Sequence, residues 1–489
     1  MTNKKNPKAM DAMLSTEITH IHAHDDVFSH IKTPDGKEHY GMKGMLDAGQ
    51  SVDPVYEECA EMASLRKNQE RFNMSNLSRR GLMGAAALGV GAMLAISSEP
   101  RYAYAAPGSA NNGNVIVAIF LRGGADGLSM VVPRTGTDYS RYQAMRPGLK
   151  LTNSVLLDMP GGKFGLHPAF TNMQKLMNSN QAAVVHSTGH VSESRSHFDK
   201  QLFTEKGVMA ASMSSGWLGR YLLTTGNENT FRALTMGKQS AFMLATGTAS
   251  LTPTMTDLGA FNINAPTADI RQQISQDLSS LYGNSGGAAQ AAVNDTINSA
   301  MESLELANRP TAGVYPNNNI LAKRLKGVAQ IIKANKGLEV ACVDDDGWDM
   351  HVKLNDGDPY KGNLYSGLKR VDDAIYAFWE DLGPELQKKV TIVTLSEFGR
   401  TGSTNGVNGA DHGYGSTMFV ISDQVRGGVV GKWPGLDKSA LNEGDLNIVN
   451  DYRDTLAQIF TKKMGVAAGS TQMKQIFPDY TPKAFSLYK

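Results

Sequence analysis

The chain has 489 residues, 41% of them hydrophobic, and its 48 Lys and Arg against 47 Asp and Glu give a formal net charge of +1. That composition supports a packed core and excludes a wholly disordered chain, while near-neutrality leaves no electrostatic footprint for nucleic acid and no polybasic patch for a membrane surface. Of the two cysteines, Cys59 and Cys342, only the second lies beyond the cleavage point expected below, so packing rather than an internal disulfide must hold the mature fold.

Residues 1–77 include His20, His22, His24, His30 and His39 but show no framework that would fix them as ligands, and they read as an unassigned cytoplasmic leader. Ser78-Arg79-Arg80 then precedes an Ala- and Gly-rich apolar run to Ile96, too short and too weakly hydrophobic to span a bilayer. Ala103 and Ala105 supply the small residues that a signal peptidase requires, so cleavage is expected before Ala106. Residues 78–105 together resemble a twin-arginine signal, with Leu82 where that pattern prefers Phe. The resemblance implies the twin-arginine translocase as a partner during export and a periplasmic or otherwise exported product with no permanent membrane span.

From residue 106 the chain reads as one α/β domain. Residues 114–121 are an almost unbroken apolar run stopped by Arg122-Gly123-Gly124, and similar runs occupy 181–186, 338–343, 390–395 and 418–421. Continuous apolarity without alternation marks strands covered on both faces. Helical patterns at 168–177, 196–206, 320–335 and 365–382 lie between them, which predicts a mostly parallel sheet with helices on both sides. The Gln-, Ser- and Ala-rich stretch 265–308, broken near Gly283, is expected to be an inserted helical cap.

Polar residues follow the runs. Asp126 comes after the first, the 186–197 segment with His186, His190 and His197 after the second, Asp349 and His351 after the third, and Glu397 directly after the fourth. In open α/β sheets the carboxyl ends of parallel strands line the ligand crevice, so these groups are expected to converge. Asp349 and His351, two residues apart, can face one cation from an extended segment. A carboxylate at Glu397 is costly beside a buried strand unless it is bonded to hydrogen or metal. Asp411 and His412 sit in a Gly-rich loop that would let an imidazole approach an ion closely. Ser196, where loop becomes helix, is either a plain N-cap or a hydroxyl activated as a nucleophile near the helix dipole. No phosphate loop, dinucleotide fingerprint or cysteine cluster is present, which disfavours a redox enzyme.

Seven motifs occur in order: residues 120–129, 165–169, 195–199, 216–220, 347–351, 395–401 and 411–413. As a set they resemble the bacterial family known as domain of unknown function 1501, which is similar to the alkaline phosphatase and sulfatase superfamily. That resemblance implies an alkaline-phosphatase-like three-layer sandwich and divalent ions such as Zn, Mn, Ca or Mg. By motif it matches Asp126, Asp349, His351, Glu397 and His412 to metal ligands and Ser196 to the nucleophile; beside these, Asp411 is expected as a further ligand, His197 in catalysis, and His167, His190, Arg195 and Arg400 in the pocket. One departure stands out, since the superfamily has an Asp-His pair where this chain has Glu397-Phe398. The expected activity is metal-dependent hydrolysis of a small anionic phosphate or sulfate ester. The alternative is a non-catalytic binding or assembly protein of the cell envelope.

Overall fold

The computed structural model describes residues 31–32, 38–39 and 113–489, apart from 210–211, 226–229, 248–251, 283–286 and 356. Arg79, Arg80, Ala103, Ala105 and the leader histidines other than His39 lie outside the described residues. Before residue 113 only an antiparallel pairing of Ile31–Lys32 with Glu38–His39 is described. No helix among the described residues is long and apolar enough to cross a membrane.

Among the described residues a nine-stranded sheet forms the centre of the domain. In chain order its strands are β1 (Val115–Leu121), β2 (Ala182–Gly189), β3 (Ala233–Met236), β4 (Thr254–Met255), β5 (Val340–Asp345), β6 (Val390–Leu395), β7 (Ser416–Ile421), β8 (Gly428–Val430) and β9 (Asn450–Asp451). They lie in the order β8-β2-β7-β6-β1-β5-β3-β4, with β9 beside β2. β1 pairs in parallel with β5 and β6, whereas β7 runs antiparallel to both of its neighbours, β6 and β2. The amino end of β7 therefore stands at the carboxyl edge of the other strands.

Alternation along β1 divides the core into two. Val115, Val117, Ile119 and Leu121 pack on one face with α1 (Thr171–Asn178), α6 (Ile320–Lys333) and α7 (Gly362–Gln387). Ile116, Ala118 and Phe120 face the other way, onto α3 (Trp217–Thr225) and α8 (Tyr452–Lys463). Both faces are covered, which gives three layers and explains why the strands read as solid apolar runs. The expected insertion is two helices, α4 (Ala268–Tyr282) and α5 (Gly287–Ala307).

Two strands run further than their apolar residues. β2 continues to Gly189 because Thr188 and Gly189 pair with β9, so His186 lies inside the strand, fully buried, with Nε2 bonded to the Val131 carbonyl. It does not belong to the edge loop in which it was expected. β5 likewise takes in Asp344 and Asp345, whose carboxylates are engaged by Arg122 and Arg370.

Candidate metal centre

Four segments meet at the carboxyl edge. The loop after β2 ends at Ser196, where α2 (His197–Lys206) begins and turns His197 inward. After β5, Trp348 is buried, with its indole N–H on Asp345 and its backbone N–H on the Arg122 carbonyl, and this anchors the segment carrying Asp349 and His351. Gly123 and Gly124, both at positive φ, permit close approach here: a Cβ at Gly123 would strike the Trp348–Asp349 backbone, and one at Gly124 would strike the Phe398 ring. The fourth segment, between β6 and β7, folds back so that Arg400 bridges His412, with the Thr401 N–H on the Asp411 carbonyl.

The side chains converge on one another. His412 Nε2 lies 3.0 Å from His197 Nε2 and 3.0 Å from His351 Nε2. Asp349 Oδ1 is 2.9 Å from His351 Nε2, 3.4 Å from His197 Nε2 and 3.7 Å from His412 Nε2. The candidate donor atoms of His197, Asp349 and His412 all lie within 4.8 Å of one another.

Each imidazole is also held from behind. His197 Nδ1 is 2.8 Å from Glu397 Oε1, His351 Nδ1 is 2.9 Å from Asp411 Oδ1, and His412 Nδ1 is 2.8 Å from the Arg195 carbonyl. Those partners accept hydrogen bonds, so a neutral ring places its single proton on Nδ1 and turns the Nε2 lone pair to the front. With the rings neutral, three lone pairs and the Asp349 carboxylate oxygen, which also accepts from Arg400, face one another, an arrangement suited to a cation. Donor spacings of about 3 to 4 Å suit metal bonds of about 2 Å, and an acceptor behind each ring is the usual support of a metal-binding histidine.

The electrostatics agree. Burial works against a charged His197, yet its hydrogen bonds to Asp349 and Glu397 outweigh burial and lift it to about 9. The bond to Asp349 raises His351 as well. Burial would raise Asp349, but the three imidazoles and Arg400 hold it far below the usual carboxylate range. The site stabilises positive charge, whether proton or metal.

The residues expected at the site fall into three groups. Asp349, His351 and His412 supply the converging atoms, and His197, expected in a catalytic role, stands with them. Glu397 and Asp411, expected as ligands, sit behind imidazoles. Glu397 Oε1 also accepts from Gly123 N–H and from Gln201, each at 2.8 Å, which leaves that oxygen fully occupied. Arg400 Nη2 is 2.7 Å from Asp349 Oδ1, and the same guanidinium bonds the carbonyls of Gly123, Gly124, Trp348 and Ala410. Arg195 contributes its carbonyl, while its guanidinium pairs with Glu443 and Asp445.

Asp126, His167 and His190 make their bonds away from the converging donors. Asp126 is buried in an ion pair with Arg146 at 2.6 Å. His167 and His190 are buried with Nδ1 accepting the backbone N–H of Ala169 and Ser192, respectively. Ser196 is the N-cap of α2, but its hydroxyl makes no capping bond. Sequence reasoning missed Gln201 and Phe398. Gln201 lies one turn beyond His197, a spacing that could have flagged it. The ring of Phe398 packs 4.7 Å from that of His197 and 4.8 Å from that of His412, forming an apolar floor where a polar ligand was sought.

An α/β protein with such a donor set at its sheet edge is, by its structure, a candidate metalloprotein. The chain belongs to the family described as protein of unknown function (DUF1501), which matches residues 114–459. No curated protein matches it. Similar solved structures include the C-terminal periplasmic domain of EcEptC from Escherichia coli in complex with Zn, at 9% identity and TM-score 0.32, covering 64% of this chain and 74% of that one. The alkaline phosphatase of the Antarctic bacterium TAB5 is 9% identical with TM-score 0.24, over 65% and 94% of the two chains. The PsFucS1 sulfatase of Pseudoalteromonas sp. is 12% identical with TM-score 0.29, over 73% and 69%.

Proposed function

We propose that the protein is an exported, metal-dependent hydrolase of phosphate or sulfate esters. The observation that carries this reading is the acceptor-only focus of His197, His351, His412 and Asp349, with every imidazole fixed from behind. These four residues would hold a divalent ion, and the Phe398 floor with the Asp126–Arg146 pair fits one ion better than two. Such an ion, when bound, lowers the pKa of an oxygen nucleophile and offsets the charge of an anionic ester. Glu397, Asp411 and the Arg195 carbonyl keep the imidazoles aimed, and Arg400 keeps Asp349 in place.

Ser196 is proposed as the nucleophile. It directly precedes His197 at a helix start, and its hydroxyl is not spent on capping. Attack by its oxygen on phosphorus or sulfur releases the alcohol, which takes up a proton; water then cleaves the serine ester and restores the hydroxyl. Export rests on the Arg79-Arg80 pair and the Ala103-x-Ala105 site.

A second reading, an envelope binding protein that retains the metal site without turnover, is favoured by the placement of Asp126 outside the donor group. Metal analysis and an ester assay on the same sample test both. We expect about one equivalent of divalent metal, lost in Asp349→Asn together with hydrolysis of aryl phosphates or sulfates. Metal without turnover of any ester would favour the binding protein, and a protein that takes up no divalent ion would overturn both readings.

A further inference from the structure

Arg122, the first residue beyond β1, bonds both of the segments that follow β5 and open α2. Its backbone N–H donates to the Asp345 carbonyl and its carbonyl accepts the Trp348 N–H, which ties it to the stretch carrying Asp349 and His351. Its guanidinium reaches α2. There Nη1 donates to Gln201 Oε1 at 3.0 Å and to Glu205 Oε1 at 2.8 Å, while Nε donates to Asp344 Oδ1 of β5 at 2.8 Å. His197, Gln201 and Glu205 follow one another at intervals of four along α2, so they form a single stripe of the helix.

Gln201 has one amide orientation open to it. A guanidinium only donates and an ionised carboxylate only accepts, so the Gln201 oxygen must face Arg122 and its NH2 group must face Glu397, to which Nε2 donates at 2.8 Å. Glu397 is fully buried, and the Oε1 that takes this bond also takes the bond from His197 Nδ1 at 2.8 Å. An unbroken line of hydrogen bonds thus runs from Arg122 through Gln201 and Glu397 to His197. Arg122 does not need the amide for its own sake, because Glu205 and Asp344 already pair its charge. The amide serves the other end of the line.

We propose that Arg122 and Gln201 are positioning residues of the metal centre: the guanidinium sets the amide, the amide holds Glu397 Oε1, and Glu397 keeps His197 Nε2 forward. This rests on the metal reading of the centre and is independent of turnover. Supports of this kind act by locking the rotamers of the groups that touch the ion, so a residue with no contact to the ion still sets its affinity. The Gly123 N–H would keep its own hold on Oε1 in the absence of Gln201. The loss is therefore partial.

The test is the affinity of the full protein for Zn²⁺ and Co²⁺, read by competition with a chromogenic chelator, together with the visible spectrum of the Co²⁺ form and the unfolding midpoint without metal. Gln201→Met keeps the length of the side chain and removes the amide; we expect it to weaken metal binding by about tenfold, the lower end of what a lost support costs, and to shift the Co²⁺ bands. Gln201→Glu should weaken it at least as much, since a second carboxylate then meets Glu397 acceptor to acceptor. Arg122→Lys keeps a cation beside Glu205 and Asp344 but loses the planar fork, and should weaken binding by less. With Gln201→Met already in place it should weaken binding no further, because the line through which it acts is already cut. Gln330→Met makes the same chemical change at a buried glutamine of α6, whose amide holds the carbonyls of Ala307 and Arg309, and should lower the midpoint while leaving metal affinity unchanged. If Gln201→Met does not fold, Gln201→Glu and Arg122→Lys decide the matter by the same readouts. Unaltered affinity and Co²⁺ bands in the folded Gln201 variants would overturn the inference and leave the metal centre standing. Full additivity of Arg122→Lys and Gln201→Met would remove Arg122 from the line. No uptake of either ion by the unaltered protein would overturn the metal reading itself, and this inference with it.

Discussion

Two groups of polar residues lie near the strand ends, and they differ in how their hydrogen bonds close. Around Asp349 the imidazoles are satisfied from behind and their front atoms meet acceptor to acceptor. Around Asp126 the charge is cancelled by Arg146, and the nearby histidines turn inward: His186 bonds the Val131 carbonyl and His167 accepts the Ala169 N–H. The first group presents its donors to a cation, whereas in the second the Arg146 pair holds Asp126 and leaves its Oδ1 without a hydrogen bond. Residue type and position in the chain do not distinguish them, but the direction of the lone pairs does.

The sharpest way to separate the groups is acid. Burial pushes His167 down to about 3, His186 to about 4 and His190 to about 3, from an ordinary 6.5. A histidine depressed in the fold contributes its full stability above pH 6.5 and loses it as the pH falls towards its folded value, because the unfolded chain takes up the proton first. At pH 5 each of the three costs roughly 2 kcal/mol, about 6 kcal/mol together. Asp344 and Asp372, raised by burial to about 6, and in the metal-free protein His197, lifted to about 9, work in the opposite direction and return roughly 1 kcal/mol each. Denaturant unfolding of the metal-free protein should therefore show a net loss of about 3 kcal/mol between pH 7 and pH 5. A flat profile would mean that these histidines are not neutral and buried.

Next in size is the buried ion pair. Asp126→Ala strands the Arg146 guanidinium in the core and should destabilise the fold by about 3 to 5 kcal/mol. Metal content should not change. If metal is lost while stability is kept, Asp126 is a ligand and the comparison collapses.

Glu397→Gln falls between the two groups, since it touches both the fold and the centre. Its Oε1 accepts three bonds at 2.8 Å, so an amide in its place should cost about 1 to 3 kcal/mol of stability. As the support behind His197, its loss should weaken metal binding by about 10- to 100-fold rather than abolish it. Complete loss of metal, on a folded protein, would make Glu397 a direct ligand.

The architecture was legible because strands covered on both faces must be apolar throughout, and β6 matches its apolar run residue for residue. The edge position of Asp349, His351 and Glu397 followed from the same logic. Other features depend on partners far away in sequence. The extension of β2 past His186 comes from pairing with β9, more than 250 residues later, and no local pattern announces it. The roles of Glu397 and Asp411 were hidden because a carboxylate beside a histidine looks the same whether it binds the metal or the ring. The place of His412 depends on the reversed direction of β7: a histidine that precedes its strand reaches the edge that others reach by following theirs.

The smallest expected cost to the fold belongs to Ser196, and there the two groups can be told apart by activity alone. An N-cap serine that bonds its helix typically contributes about 1 kcal/mol. Ser196 is in the N-cap position of α2 with extended backbone angles, yet no bond runs from its hydroxyl to the first turn, and Ser194 instead bonds Asp199 there at 2.8 Å. Ser196→Ala should therefore cost less than about 0.5 kcal/mol, within the range of an ordinary surface change, with metal content intact. Ser194→Ala removes a bond that is present and should cost more, on the order of 1 kcal/mol. If Ser196 is the nucleophile, its alanine variant keeps fold and metal and loses ester turnover, while the Ser194 variant keeps turnover. Rapid quenching of the wild-type protein with a labelled aryl phosphate or sulfate should then leave label on the 195–199 peptide. An active Ser196→Ala protein would return the residue to the structural group and leave a water molecule as the attacking oxygen.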